Sequence, residues 1–98
     1  MKRRTVVFSS SARTDLLQLH DWITERAGRP VALAYLDRLE AYCRSFEIAA
    51  ERGHGRDDIR PGLRIVGFER RIAIAFVVEA EQVIILRLYY GGRSVGPL

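Results

Sequence analysis

Ninety-eight residues, 48% of them hydrophobic, bound this chain to a single domain, residues 1–98, with enough apolar mass for its own core. A net charge of +4 and a pI near 9.8 favour an anionic partner, but nucleic acid, an acidic peptide and anionic lipid all stay open on charge alone. The single cysteine, Cys43, excludes an internal disulfide and a cysteine-based zinc site. No run approaches the ~18 apolar residues of a membrane span. Met1-Lys2-Arg3-Arg4 is followed by too short an apolar stretch for a signal peptide, so a cytoplasmic protein is expected.

Thr5 to Phe8 is a β-branched and aromatic run that predicts a short strand. Ser9, Ser10 and Ser11 offer hydroxyls to cap a helix. Ala12, Leu16, Leu19 and Ile23 then recur at spacings of four, three and four, the period of an amphipathic helix. Asp15 is read as a first-turn carboxylate facing the unpaired amides of that helix, and Gly28 as its end. Pro30 suits the first position of a second helix. Its apolar stripe is Ala32, Leu36, Leu39, Cys43 and Phe46, widened by Tyr35 and Tyr42, and Glu40–Arg44 is a favourable i,i+4 pair. Cys43 falls among apolar neighbours as a packed thiol. The short Gly28-Arg29 link predicts an antiparallel helical hairpin.

After Gly53-His54-Gly55 the period changes to two. Leu63, Ile65 and Phe68 predict a short strand after a turn at Pro61-Gly62, and Ile72, Ile74, Phe76 and Val78 a second. A polar turn at Glu79 to Gln82 leads into Val83 to Tyr90, an almost continuous apolar run that suits a central strand. The order β-α-α-β-β-β predicts an α+β fold: an N-terminal short strand and an antiparallel helical hairpin packed on a curved, mainly antiparallel sheet.

Chemistry-bearing residues concentrate in the second half. Six arginines lie between Arg52 and Arg71, against only Asp57, Asp58 and Glu69. Arg56, Arg60, Arg64, Arg71, Arg87 and Arg93 come from the loop, three successive strands and the segment beyond, and a guanidinium suits both phosphates and acidic protein surfaces. Arg64 and Arg71 are read as facing away from the core. Arg87, the only charge inside the last strand, needs a partner, for which Asp57 or Asp58 is the candidate. Ion pairing of Arg60, Arg64 and Arg87 with the loop acids would make them structural; a binding or catalytic role is the alternative. Tyr89 and Tyr90 alternate across the strand, which predicts one in the core and one exposed where it could stack on a base or touch a partner. His20 and His54 have no nearby Cys or paired His, so neither a metal site nor a cofactor is expected, and no phosphate-loop or nucleophile motif occurs.

Several of these features, taken in order, resemble the ParE toxins of bacterial toxin–antitoxin pairs, within the broader RelE/ParE superfamily. They are Ser9-x-x-Ala12-Arg13-x-Asp15-Leu16, Gly53-x-Gly55-Arg56, Ile59-Arg60-Pro61-Gly62-Leu63-Arg64, Val83-Ile84-Ile85-Leu86-Arg87-Leu88, and terminal Gly91 and Arg93. The resemblance implies the fold derived above and a cytoplasmic hetero-oligomer with a cognate antitoxin. That antitoxin's acidic C-terminal segment would wrap the toxin, and only the antitoxin would contact DNA. It implies DNA gyrase as target, blocked by binding rather than by a catalytic centre. The chain departs from the ParE pattern where members often carry His in the place of Tyr90, a second basic residue at Gly92 and Asp where Ser94 stands.

Two functions compete. In the first, Arg56, Arg60, Arg64, Arg71, Arg87, Tyr90 and Arg93 form a surface for antitoxin or target. In the second, the chain is a ribosome-dependent mRNA endoribonuclease of the RelE type, with Arg64, Arg71, Arg87 and Tyr90 as cations and acid. Cleavage by 2′-OH attack also requires a base, and a tyrosine of ordinary pKa, about 10, is a poor one at neutral pH. Gyrase inhibition is therefore the favoured expectation.

Overall fold

The computed structural model describes residues 3–91. In chain order it contains β1 (Thr5–Phe8), α1 (Ser10–Ala27), α2 (Arg29–Arg44), a 3₁₀ turn (Ser45–Glu47), β2 (His54–Gly55), β3 (Leu63–Phe68), β4 (Ile72–Val78) and β5 (Gln82–Tyr89). The strands form one sheet in the order β1-β5-β4-β3-β2. Only β1 runs parallel to its neighbour, β5, and the other pairings are antiparallel. The α+β architecture and the helical hairpin are as the periodicities predict.

Ser9 caps α1, its Oγ accepting the Ala12 N–H at 3.0 Å. The buried stripe of this helix is Ala12, Asp15, Leu19 and Ile23, with Leu16 only half-buried. Asp15 thus lies beyond the first turn and inside the protein, which corrects its reading as a complement to the helix N-terminus. Gly28, at φ 91°, ends α1 and starts α2 by itself, and Pro30 falls in the first turn of α2. Ala32, Tyr35, Leu39, Cys43 and Phe46 pack against Ile74, Phe76, Val83, Ile85 and Leu88 of the sheet. Burial pushes the Cys43 thiol up to about 12, so it stays neutral at physiological pH.

The opposite face of the sheet is not bare. Leu63, Ile65, Ala75, Val77 and Tyr89 form a second, smaller cluster there, edged by Ile59, Ile84 and Leu86. A β-bulge in β5 allots the residues between the two faces. Ile85 pairs with Phe76 and Arg87 with Ala75, leaving Leu86 as the extra residue. Past the bulge the alternation resets, so Leu88 and Tyr90 join Ile85 on the helical side while Tyr89 turns to the other. Both tyrosines are consequently buried, at 7% and 4% exposure, correcting the expectation that one is exposed.

The segment from residue 53 to residue 62 is shaped by two glycines with different constraints. The Arg60 carbonyl accepts the Leu63 N–H at 3.0 Å across Pro61-Gly62, and Gly62 has φ 80°, the pattern of a type II turn with Pro and Gly at its centre. Asp57 Oδ1 fixes this turn by accepting the Gly62 N–H at 2.8 Å. Gly53, at φ 73°, lies against β3, and a Cβ there would approach the Ile65 carbonyl oxygen to 2.2 Å, whereas one at Gly62 would meet nothing within 4 Å. Gly62→Ala should therefore cost only the left-handed backbone term, about 1–2 kcal/mol. Gly53→Ala adds displacement of backbone and should cost about 3 kcal/mol or more. Urea unfolding of the two variants checks the order.

Candidate protein-binding groove

The sequence-predicted arginines fall into separate environments. Arg56 closes on Asp58 through two bonds of 2.9 Å within its own loop, which holds the Asp58 carboxyl below the usual carboxylate range. Arg60, in the adjoining turn, has an exposed side chain with no ion pair among the described residues. Arg64 does lie opposite Leu63 and Ile65, but those two belong to the smaller cluster. Arg64 therefore emerges on the helical face, beside its cross-strand partner Phe76, correcting the expectation that it points away from the core. Its Nε donates to the Arg52 carbonyl at 2.9 Å. Arg52 in turn stacks on Phe46, 4.6 Å from the ring centroid, so this cation holds the loop onto the core. Arg93 lies outside the described residues.

Arg87 finds its counter-charge in Asp15 of α1, not in Asp57 or Asp58. Arg87 Nε donates to Asp15 Oδ2 at 2.8 Å and Nη2 to Oδ1 at 3.2 Å, while the Leu88 N–H donates to Oδ2 at 2.9 Å. The bidentate carboxylate raises the Arg87 pKa further. Asp15 is 2% exposed, so this is a structural ion pair. Removing it in Asp15→Ala leaves a backbone donor and a guanidinium without their acceptor. The loss should reach about 2–3 kcal/mol, below the figure for a fully buried pair because Arg87 keeps 36% of its side chain exposed. Asp15→Asn, whose amide oxygen can still accept from Leu88, should lose visibly less in the same urea titration.

Arg71 and Tyr90 do share a site, together with residues the sequence did not single out. A groove of about 660 Å³ runs between the C-terminal half of α1, the N-terminal half of α2 and the β3–β4 turn. Trp22 lies at its centre, edge-on to Tyr90 at 5.5 Å, with the Arg26 guanidinium 4.2 Å above its ring. Tyr35 and Ile72 continue the apolar floor. On the far wall Arg38 forms a bidentate pair with Glu69 at 2.9 and 3.1 Å and holds that carboxyl below its usual range. Arg70 and Arg71 complete the rim. Their exposed side chains make no hydrogen bond or ion pair among the described residues. Glu69 and Arg70 hold φ of 49° and 59°, and the Arg71 N–H donates to the Phe68 carbonyl at 3.1 Å. Positive φ at both central residues matches a type I′ hairpin turn, where Asn-Gly is usual and larger residues are strained. Four arginines thus surround one glutamate already neutralised by Arg38.

A family model described as the ParE toxin of type II toxin–antitoxin systems, parDE, matches residues 6–95. The chain belongs to the ParE toxin family. Among solved structures, the ParE-family chain resembles one titled as the chromosomal ParDE system of P. aeruginosa, with 24% identity and a TM-score of 0.78, covering 90% of this chain and 96% of the other. It also resembles a chain of the RelBE2 toxin–antitoxin complex of Mycobacterium tuberculosis, at 18% identity and a TM-score of 0.61, covering 95% and 97%. At these identities both likenesses concern the fold. No curated relative matches the sequence. The four residues of the nuclease reading are dispersed across the toxin fold. Arg64 holds the loop, Arg87 is tied to Asp15, and only Arg71 and Tyr90 line a common groove.

Proposed function

We propose that this chain is the toxin of a type II pair that acts by binding DNA gyrase in the cytoplasm and is held inactive by an antitoxin wrapped around it. The observation that carries this reading is the groove around Trp22, which offers an apolar, aromatic floor and excess positive charge. Its one carboxylate, Glu69, is held ionised and paired by Arg38, an arrangement that favours docking an acidic protein segment over moving protons. Buried Tyr90 serves here as a packing group.

The antitoxin has a seat of its own at the other end of the hairpin. β1 is an edge strand. The Thr5 N–H donates to the Glu81 carbonyl and the Ser9 N–H to the Ile85 carbonyl, so the alternation of a parallel ladder turns the Val6 and Phe8 amides outward. Beside Phe8, an apolar groove of about 290 Å³ is lined by Leu16, Leu36 and Leu39 and flanked by Arg13 and by Arg44, which pairs with Glu40 of the same lining at 2.8 Å. An extended segment with alternating apolar and acidic residues would add as a strand and seat its side chains there. These cations are on the helices and add to the loop and strand residues, Arg56, Arg60, Arg64, Arg71, Arg87, Tyr90 and Arg93, that the sequence offers for antitoxin or target.

Two experiments test the reading. Induction without antitoxin should lower plasmid supercoiling and raise a DNA-damage response while transcripts stay intact, and Tyr90→Phe should remain toxic. Prompt transcript cleavage with unchanged supercoiling would transfer the assignment to the ribonuclease reading. Separately, the Arg13→Glu/Arg44→Glu double variant should bind the antitoxin encoded beside it at least tenfold more weakly, measured by calorimetry; equal affinity would remove the β1-edge seat.

A further inference from the structure

We infer that the Trp22 groove is the surface that seats the target: an acidic, apolar-flanked segment of gyrase, separate from the antitoxin seat. The inference rests on gyrase being the target, as proposed above, and adds where it is held. The two grooves share no residue. The Phe8 groove uses Arg13 and Leu16 of α1 with Leu36 to Arg44 of α2, and the Trp22 groove uses Leu19 to Ala27 of α1 with Val31, Tyr35 and Arg38 of α2. They also differ in what they can hold. The Phe8 groove adjoins an open strand edge and so suits a long wrapping segment. The Trp22 groove is closed by the β3–β4 turn, where no strand can add, so it accepts side chains alone.

The chemistry of that occupant is written in the lining. Trp22, Tyr35 and Ile72 give an apolar floor for one or two large apolar anchors. The Arg70 and Arg71 side chains form no hydrogen-bonded ion pair among the described residues, Arg71 acting only through its field on Glu69 and Tyr35. Arg26 is engaged with its own helix through the Trp22 carbonyl and Glu25. Carboxylates beside the anchors would pair with this rim. Two further features belong to the same groove. The Tyr35 hydroxyl is buried at its wall with no hydrogen-bond partner among the described residues. The turn that carries Arg70 and Arg71 keeps two non-glycine residues left-handed, the kind of strain that persists where a surface is held in a set shape. A nucleotide would also meet arginine and aromatic groups, but the lining is mainly apolar and Arg26 already covers one face of Trp22, which favours a peptide.

Trp22 is the only tryptophan, so the protein labelled with 5-fluorotryptophan gives one fluorine resonance from the groove itself. Titration with reconstituted gyrase holoenzyme should shift or broaden that resonance. Arg70 and Arg71 are exposed, so Arg70→Glu/Arg71→Glu should keep the wild-type circular dichroism. This variant should need at least tenfold more protein for half-inhibition of supercoiling, yet bind the antitoxin within twofold of wild type. Wild-type inhibition by the double variant, or a resonance moved by antitoxin and not by gyrase, overturns the assignment of the groove. Failure of the wild-type protein itself to inhibit supercoiling overturns the gyrase reading instead, and the groove assignment falls with it.

Discussion

The sheet of this protein depends on how one exposed edge is closed. β1 covers β5 only from Gln82 to Ile85, after which the chain leaves the sheet to begin α1. The remaining backbone of β5 would face the interior without ladder partners, a state that costs about as much as a lost hydrogen bond per group. Two side chains from the start of α1 take the place of the missing strand. Ser9 Oγ donates to the Leu86 carbonyl at 2.8 Å, and Asp15 accepts from the Leu88 N–H at 2.9 Å. Ser9 does this while also capping the helix, so one residue fixes the strand end, the helix start and the angle between them. Arg87 then balances the charge that Asp15 brings inside.

This closure explains which parts of the molecule could be read from the sequence. The helices, the strands and their order follow from periodicity, because most of their buried residues are apolar and regularly spaced. Asp15 breaks the rule. It occupies a core position on α1 that a hydrophobic pattern assigns to Leu16, and its partner lies 72 residues away, beyond the reach of local spacing. The bulge at Leu86 is equally silent, since a nearly uniform apolar run gives no sign of where alternation resets. Its effect is large: it decides that Tyr90 packs against Trp22 and that Tyr89 turns to the other cluster.

The groove was half legible for a related reason. Arg71 and Tyr90 stood out as a charge beside a strand and an aromatic at a strand end. Trp22, Arg26 and Arg38 read only as ordinary helix residues, because their meaning comes from the crossing of α1 and α2 over the β3–β4 turn. That turn hides as well. Its central residues are Glu69 and Arg70, not the Asn-Gly that announces such a hairpin, and the Arg38–Glu69 pair supplies the restraint that glycine normally makes unnecessary. Gly53 and the Pro61-Gly62 turn, by contrast, were visible because the backbone there needs the residue types it has.

The pairing of β1 with β5 has a consequence for synthesis. β1 lies beside β5, about 75 residues further along the chain, and Asp15 is neutralised only when Arg87 and Leu88 arrive. Contacts of such sequence separation must meet the entropy of closing a long loop before they return any stabilisation. Until then α1 carries an uncompensated carboxylate on its apolar stripe, and the helical hairpin has no sheet to cover. The native fold therefore requires β1, α1 and β5 together, so translation as far as β5 sets the earliest moment at which either groove exists.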